Sequence, residues 1–126
     1  MIRSHNKNYA SQHVHFMCLD IVEDKLPEGD LCLIRQVLQH LSNDDILKVL
    51  GKLKQYKYAL ITEHVTVKDK AAVINADIHT GHRTRNALLS GVYLDEPPFS
   101  MNCEVILRIP YDADGKAELV TYLVKH

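Results

Sequence analysis

Apolar residues in the first third of the chain come in runs rather than in alternation. His13-Val14-His15-Phe16-Met17-Cys18-Leu19-Asp20-Ile21 predicts a strand ending in an acidic residue. The stretch from Val14 to Ile21 is too continuously apolar for a half-exposed strand and suits one covered on both faces. Pro27, Glu28 and Gly29 make a turn, where proline fixes its own φ and glycine tolerates a positive one. Asp30 to Ile34 follows as a short strand of the buried type. Arg35 to Leu41 reads either as one helical turn or as an extension of that strand.

The pattern then changes period. Ser42 can accept a backbone N–H as an N-cap, and Asp45 at the third helical position complements the helix dipole. Ile46, Val49, Leu50 and Leu53 fall on one helical face, while Lys48, Lys52 and Lys54 stand off it and crowd toward the C-terminus. Tyr58 to Val65 is the next strand, so Asp30 to Val65 is strand, helix, strand. A crossover helix between two buried strands predicts a parallel, right-handed unit. Beyond Lys68 the periodicity weakens. Ala71 to Ile78 predicts a short helix, and Thr80 to Ser100 a long irregular segment. Runs of this length within a compact domain usually serve function. Cys103 to Ile109 and Glu118 to Val124, separated by the turn Tyr111-Asp112-Ala113-Asp114-Gly115, predict an antiparallel hairpin. The fold class is therefore α/β, with a mixed sheet of four or five strands in a single domain.

Composition narrows the function classes. With 126 residues, 46% hydrophobic and 25% charged, the chain is an average globular domain, and a formal net charge of −1 offers no basic footprint for nucleic acid. Cys18, Cys32 and Cys103 are far apart in apolar surroundings and read as buried thiols of a reducing compartment. Met1 to Gln12 is polar, lacks the apolar core of a signal peptide, and is expected to be poorly ordered. No apolar run is long enough to span a bilayer, so a cytoplasmic protein is the simplest reading. His13 with His15, and His79 with His82, have spacings that suit a metal, but no further ligand completes a pattern, and surface histidines are the preferred reading.

A strand ending in Asp20, then Leu26-Pro27-Glu28-Gly29-Asp30-Leu31, then a strand running into Val37-Leu38-Gln39-His40-Leu41-Ser42, resembles the middle of class I S-adenosylmethionine-dependent methyltransferases. The likeness runs from about His13 to the end of the chain, and its most specific piece is Asp30 to Ser42. Phe16 to Ile21 then matches the family's third strand, Asp30 to Ile34 its fourth, Asn43 to Gln55 helix D and Tyr58 to His64 its fifth strand. The terminal hairpin matches strands six and seven. The resemblance implies a truncated Rossmann-like methyltransferase fold with S-adenosylmethionine as cofactor and a small-molecule acceptor. Asp20 then stands where the adenine amino group is met, Ile21 where a backbone N–H meets the ring, and Arg35 on the cofactor's sulfonium side. Gln36 and His40 occupy positions facing the substrate opening; His40 reads there as a base or as a histidine packed beside the helix start. Arg83, with Arg85, reads as a holder of an anionic substrate group or as part of a solvated loop. Tyr93 to Phe99 resembles a segment folded over the active site, with the alternative of a connector whose Leu94 and Phe99 cap the core.

The family's first strand and glycine-rich loop are missing from this sequence, and Gly29, Gly51, Gly81, Gly91 and Gly115 are too scattered to make one. Such a loop brings backbone N–H groups and a helix N-terminus to the cofactor. The implied function is a partial methyltransferase that does not hold its cofactor alone, or a non-catalytic homodimeric interaction module with the same fold. The family order 3-2-1-4-5-7-6 loses its first two strands here, leaving 4-5-7-6 and an apolar strand at an edge. An unpaired apolar edge is a template for association, which predicts a homodimer.

Overall fold

The computed structural model describes residues 13–126, so the expectation for 1–12 lies outside the described residues. Four strands form one mixed sheet: β1 (Leu31–Arg35), β2 (Tyr58–Thr66), β3 (Glu104–Pro110) and β4 (Ala117–Lys125), in the order β1-β2-β4-β3. β1 and β2 are parallel, with Leu33 beside Leu60, whereas β4 runs antiparallel to both β2 and β3. A bulge between Val105 and Leu107 kinks β3.

The crossover between the parallel strands is α1 (Asn43–Lys52), extended by a 3₁₀ turn at Leu53–Gln55. Ser42 caps it as its position predicts, its hydroxyl accepting the Asp45 N–H at 3.1 Å. Ile46, Val49, Leu50 and Leu53 are buried, so the apolar stripe read from the sequence is the one that meets the sheet. α1 packs on the face of Ile34, Ala59, Ile61, Val65, Val120, Tyr122 and Val124. Leu38, Leu41, Val92, Leu94 and Phe99 complete that layer. Leu94 and Phe99 therefore cap the core, and the Tyr93 hydroxyl donates to the Thr66 carbonyl.

Three expectations are corrected. His13 to Asp20 forms no strand, and Ile21 opens a turn. Residues 14–20 carry no regular secondary structure. What holds the end of this run is α1: the Lys52 ammonium donates to the carbonyls of Ile21, Val22 and Asp24. The second correction concerns Ala71 to Ile78, which is no helix; a 3₁₀ turn at Lys68–Lys70 precedes an irregular path. Val73 and Ile74 point outward there, so no apolar stripe exists to pay for helix formation. The third concerns the thiols: Cys18 is exposed and Cys32 and Cys103 are only half-buried. Arg35 to Leu41, left open by the sequence, turns sharply at Gln36 and forms a 3₁₀ turn at Leu38–His40.

Among the described residues, α1 and the segment 92–99 cover one face of the sheet, and the other is partly exposed. Leu31, Leu33 and Arg35 share the other face with Tyr58, Leu60, Thr62, Leu119, Thr121 and Leu123, by strand alternation and register. Leu33 is 69% exposed on it. Strands expected to be covered on both sides are thus half-bare.

Candidate functional site

Ligands of open α/β sheets bind beyond the carboxyl ends of the parallel strands. Here that end is built from the β1–α1 connection and from the loop that follows β2. At the end of β1 the chain leaves Arg35 and enters Gln36, whose φ of 52° lies in the left-handed region and whose N–H donates to the Thr62 carbonyl at 2.7 Å. The turn redirects the backbone into Leu38–His40, a buried 3₁₀ turn gripped from both ends.

Glu63, fully buried on β2, accepts the N–H groups of Leu38 at 2.9 Å and Gln39 at 3.3 Å. Arg85, 1% exposed, donates to the carbonyls of Leu38, Gln39 and Leu41, to Ala76 and to the side chain of Asn43. A guanidinium has five N–H donors in a rigid fork, and three of the five bonds made here go to carbonyls of the connection. Burial pushes the Glu63 carboxyl up to about 7, against the pull of the Leu38, Gln39 and Val37 N–H groups and of Arg85. Burial likewise lowers the Arg85 guanidinium, opposed by the charges of Asp77 and Glu63.

The same connection anchors the loop 77–88. Asp77 accepts the Asn43 N–H at 2.9 Å, and Thr80 accepts the Ser42 N–H at 2.8 Å while donating to Asp45. The Gly81 N–H donates to the His40 carbonyl at 2.9 Å, and His40 Nδ1 lies 3.1 Å from the Arg83 carbonyl. A carbonyl can only accept, so His40 Nδ1 is the donor of this contact. Held in this way, the loop surrounds a cavity of about 840 Å³, lined by Asp77, Ile78, His79, His82, Arg83 and Leu88 among others.

Of the residues singled out in the sequence, the structure brings His40 and Arg83 into contact and sets Arg35 and Gln36 at the end of the neighbouring strand. Asp20 and Ile21 are elsewhere, beside Lys52 at the far end of α1. Asp20 Oδ1 accepts the N–H groups of Val22 and Glu23, a turn-forming role. Arg85 is neither an anion holder nor part of a solvated loop; it is the buried clamp. Sequence reasoning missed Glu63 as well, although a glutamate inside the run Ala59 to Val65 is a signal that a buried carboxylate has a partner.

On the open sheet face, His64 stacks on Tyr111 with ring centroids 3.8 Å apart and accepts from Asn86 through Nδ1 at 3.1 Å. Its Nε2 is buried with no hydrogen-bond partner among the described residues. Burial lowers its pKa, while Asp112 nearby acts in the opposite direction. Among the described residues no three His, Cys, Asp or Glu side chains come together to hold a metal. None of the described helices is long and apolar enough to cross a membrane. No protein-family model, no curated protein and no solved structure matches this chain.

Proposed function

We propose that this chain is the acceptor-binding half of a methyltransferase-type fold. In this reading it offers the site beyond β1 and β2 to a small molecule, and the cofactor half comes from outside these residues. The observation that carries the reading is the sheet. The order β1-β2-β4-β3, parallel and then antiparallel, corresponds to the order 4-5-7-6 implied by the resemblance. The free edge of β1 then falls where the missing first strand would pair. Methyl transfer depends on positioning more than on acid or base chemistry, and a loop tied to the strand ends by Asp77, Thr80, Gly81 and Arg85 is suited to position an acceptor.

S-adenosylmethionine does not fit the residues of this chain alone. Asp20 and Ile21 stand at the opposite end of α1 from Arg35, and the Asp20 carboxylate is engaged by its own turn. No glycine-rich loop is present to meet the cofactor's amino-acid end. Titration of the purified chain with S-adenosylhomocysteine should therefore give no heat up to millimolar ligand, and micromolar binding would overturn the division of labour. The positive test uses extract from source cells deleted for this chain, supplied with methyl-labelled S-adenosylmethionine. Adding the chain back should restore label in a small-molecule product, and Arg83→Gln should not. An add-back that changes nothing sinks the reading.

The half-bare sheet favours a second reading, a homodimeric interaction module without chemistry. Leu31 and Leu33 on the free edge strand, with Leu107 and Ile109 at the other edge, form an exposed apolar surface of the kind that mediates association. Sedimentation at micromolar concentration should then show a dimer that Leu33→Glu dissociates; a monodisperse monomer excludes it.

A further inference from the structure

We infer that the loop 77–88 is a preformed receptor for a small organic anion with an apolar body. This names the ligand class of the site described above; it rests on the methyl-transfer reading only in calling that ligand an acceptor.

The first argument is the construction of the loop. An irregular segment of this length loses backbone entropy on ordering and normally recovers it by packing its own side chains. This one recovers it through ties to the β1–α1 connection: Asp77 to Asn43, Thr80 to Ser42 and Asp45, Gly81 and Arg83 to His40, and Arg85 to three carbonyls. Arg85 anchors the loop from the buried side, and the ties of Asp77, Thr80, Gly81 and Arg83 run along its exposed rim around the 840 Å³ cavity. That volume lies in the range of small-molecule sites.

The second argument is the chemistry of the wall. Arg83, His79 and His82 line the cavity, and the side chains of all three are without hydrogen-bond or ion-pair partners among the described residues. Arg83 is held only by its backbone, so its guanidinium fork is available for two parallel bonds to a carboxylate or phosphate. Among the described residues lining the cavity, Asp77 is the one carboxylate. One of its oxygens accepts from Asn43, and the buried Arg85 close by offsets its charge. Ile78, Ala87 and Leu88 supply apolar surface on the same wall. Cationic and imidazole donors beside aliphatic groups match an anion attached to a hydrocarbon or aromatic frame, rather than a bare inorganic ion.

The test follows backbone amide shifts of the ¹⁵N-labelled chain during titration with benzoate, phenyl phosphate, inorganic phosphate and neutral benzamide. Benzoate or phenyl phosphate should shift amides within 77–88 saturably, and whichever binds tighter identifies carboxylate or phosphate as the preferred group. Inorganic phosphate should bind at least tenfold more weakly than the better of the two, and benzamide should not saturate. Arg83→Gln should weaken the preferred anion at least tenfold, and His79→Ala with His82→Ala severalfold, with melting temperatures unchanged. Equal binding of benzamide, shifts centred outside 77–88, or full affinity in Arg83→Gln overturns the inference. Anion binding without label transfer in the deleted extract would leave the receptor standing and remove the methyl-transfer reading.

Discussion

The two faces of the sheet come from the same four strands and have opposite fates. On one, Ile34, Ala59, Ile61, Val65, Val120, Tyr122 and Val124 lie under α1 and the segment 92–99, and Ile61 is completely buried. On the other, Leu31, Leu33 and Tyr58 face outward, and the Thr62 and Thr121 hydroxyls meet at 2.7 Å. Leu31, Leu33 and Leu60 on the outer face are as apolar as Ile34, Ile61 and Val65 on the inner one, although Arg35, Thr62 and His64 also face outward. The difference teaches that apolar character licenses burial without producing it: a layer must exist to do the covering.

The comparison is broken most severely by removing the clamp that holds the covering layer's site end in place. Arg85→Ala leaves the carbonyls of Leu38, Gln39, Leu41 and Ala76 and the charge of Glu63 without their partner, and a loss of about 3–5 kcal/mol is expected. Chemical denaturation would read it, and a change below about 1 kcal/mol would contradict the clamp. A matched pair of truncations compares the faces directly. Ile61→Ala opens a cavity under α1 and should cost about 2–5 kcal/mol, whereas Leu33→Ala should stay within about 0.5 kcal/mol in the monomer. Equal costs would mean that the bare face is buried in solution.

Glu63 sharpens the comparison through pH. Its folded-state pKa is raised to about 7 from an ordinary 4.5, so between these values the folded protein holds a proton that the unfolded chain has released. The contribution is therefore fully present below pH 4.5 and is lost as pH rises toward 7. It amounts to a few kcal/mol, of order 3, at 1.36 kcal/mol per pH unit. The denaturation midpoint of the wild type should fall across this window relative to Glu63→Gln. A difference curve that is flat, or rises, would refute the assignment. Smallest of all, Leu33→Ser should leave the Tm within a degree or two while raising solubility.

Much of the architecture is legible in the sequence because it is written locally. Ser42 and Asp45 mark the start of α1, and Ile46, Val49, Leu50 and Leu53 mark its buried stripe, since capping and helical periodicity need only neighbours along the chain. The parallel unit and the hairpin follow from short buried runs separated by a helix or by a turn. His13 to Ile21 misleads for the complementary reason: its residues suit a strand, but a strand is a relation to a partner that the run cannot specify. The candidate site is read only in part. His40 and Arg83 are found as positions, yet their contact spans 43 residues, and nothing near Arg85 distinguishes it from its neighbour Arg83. One is buried and the other lines a cavity because of where the β1–α1 connection passes, and that is tertiary information.

The acceptors that Arg85 grips on the β1–α1 connection lie 42 to 47 residues earlier in the chain. Closing so long a loop is unfavourable until both ends are already fixed. The pocket loop, irregular and tied by mostly exposed hydrogen bonds to the strand–helix–strand unit, is expected to open locally before the sheet does. Its amide protons should exchange with solvent through openings smaller than global unfolding. The receptor and its scaffold then have separate clocks, and a ligand that fills the pocket slows one without touching the other.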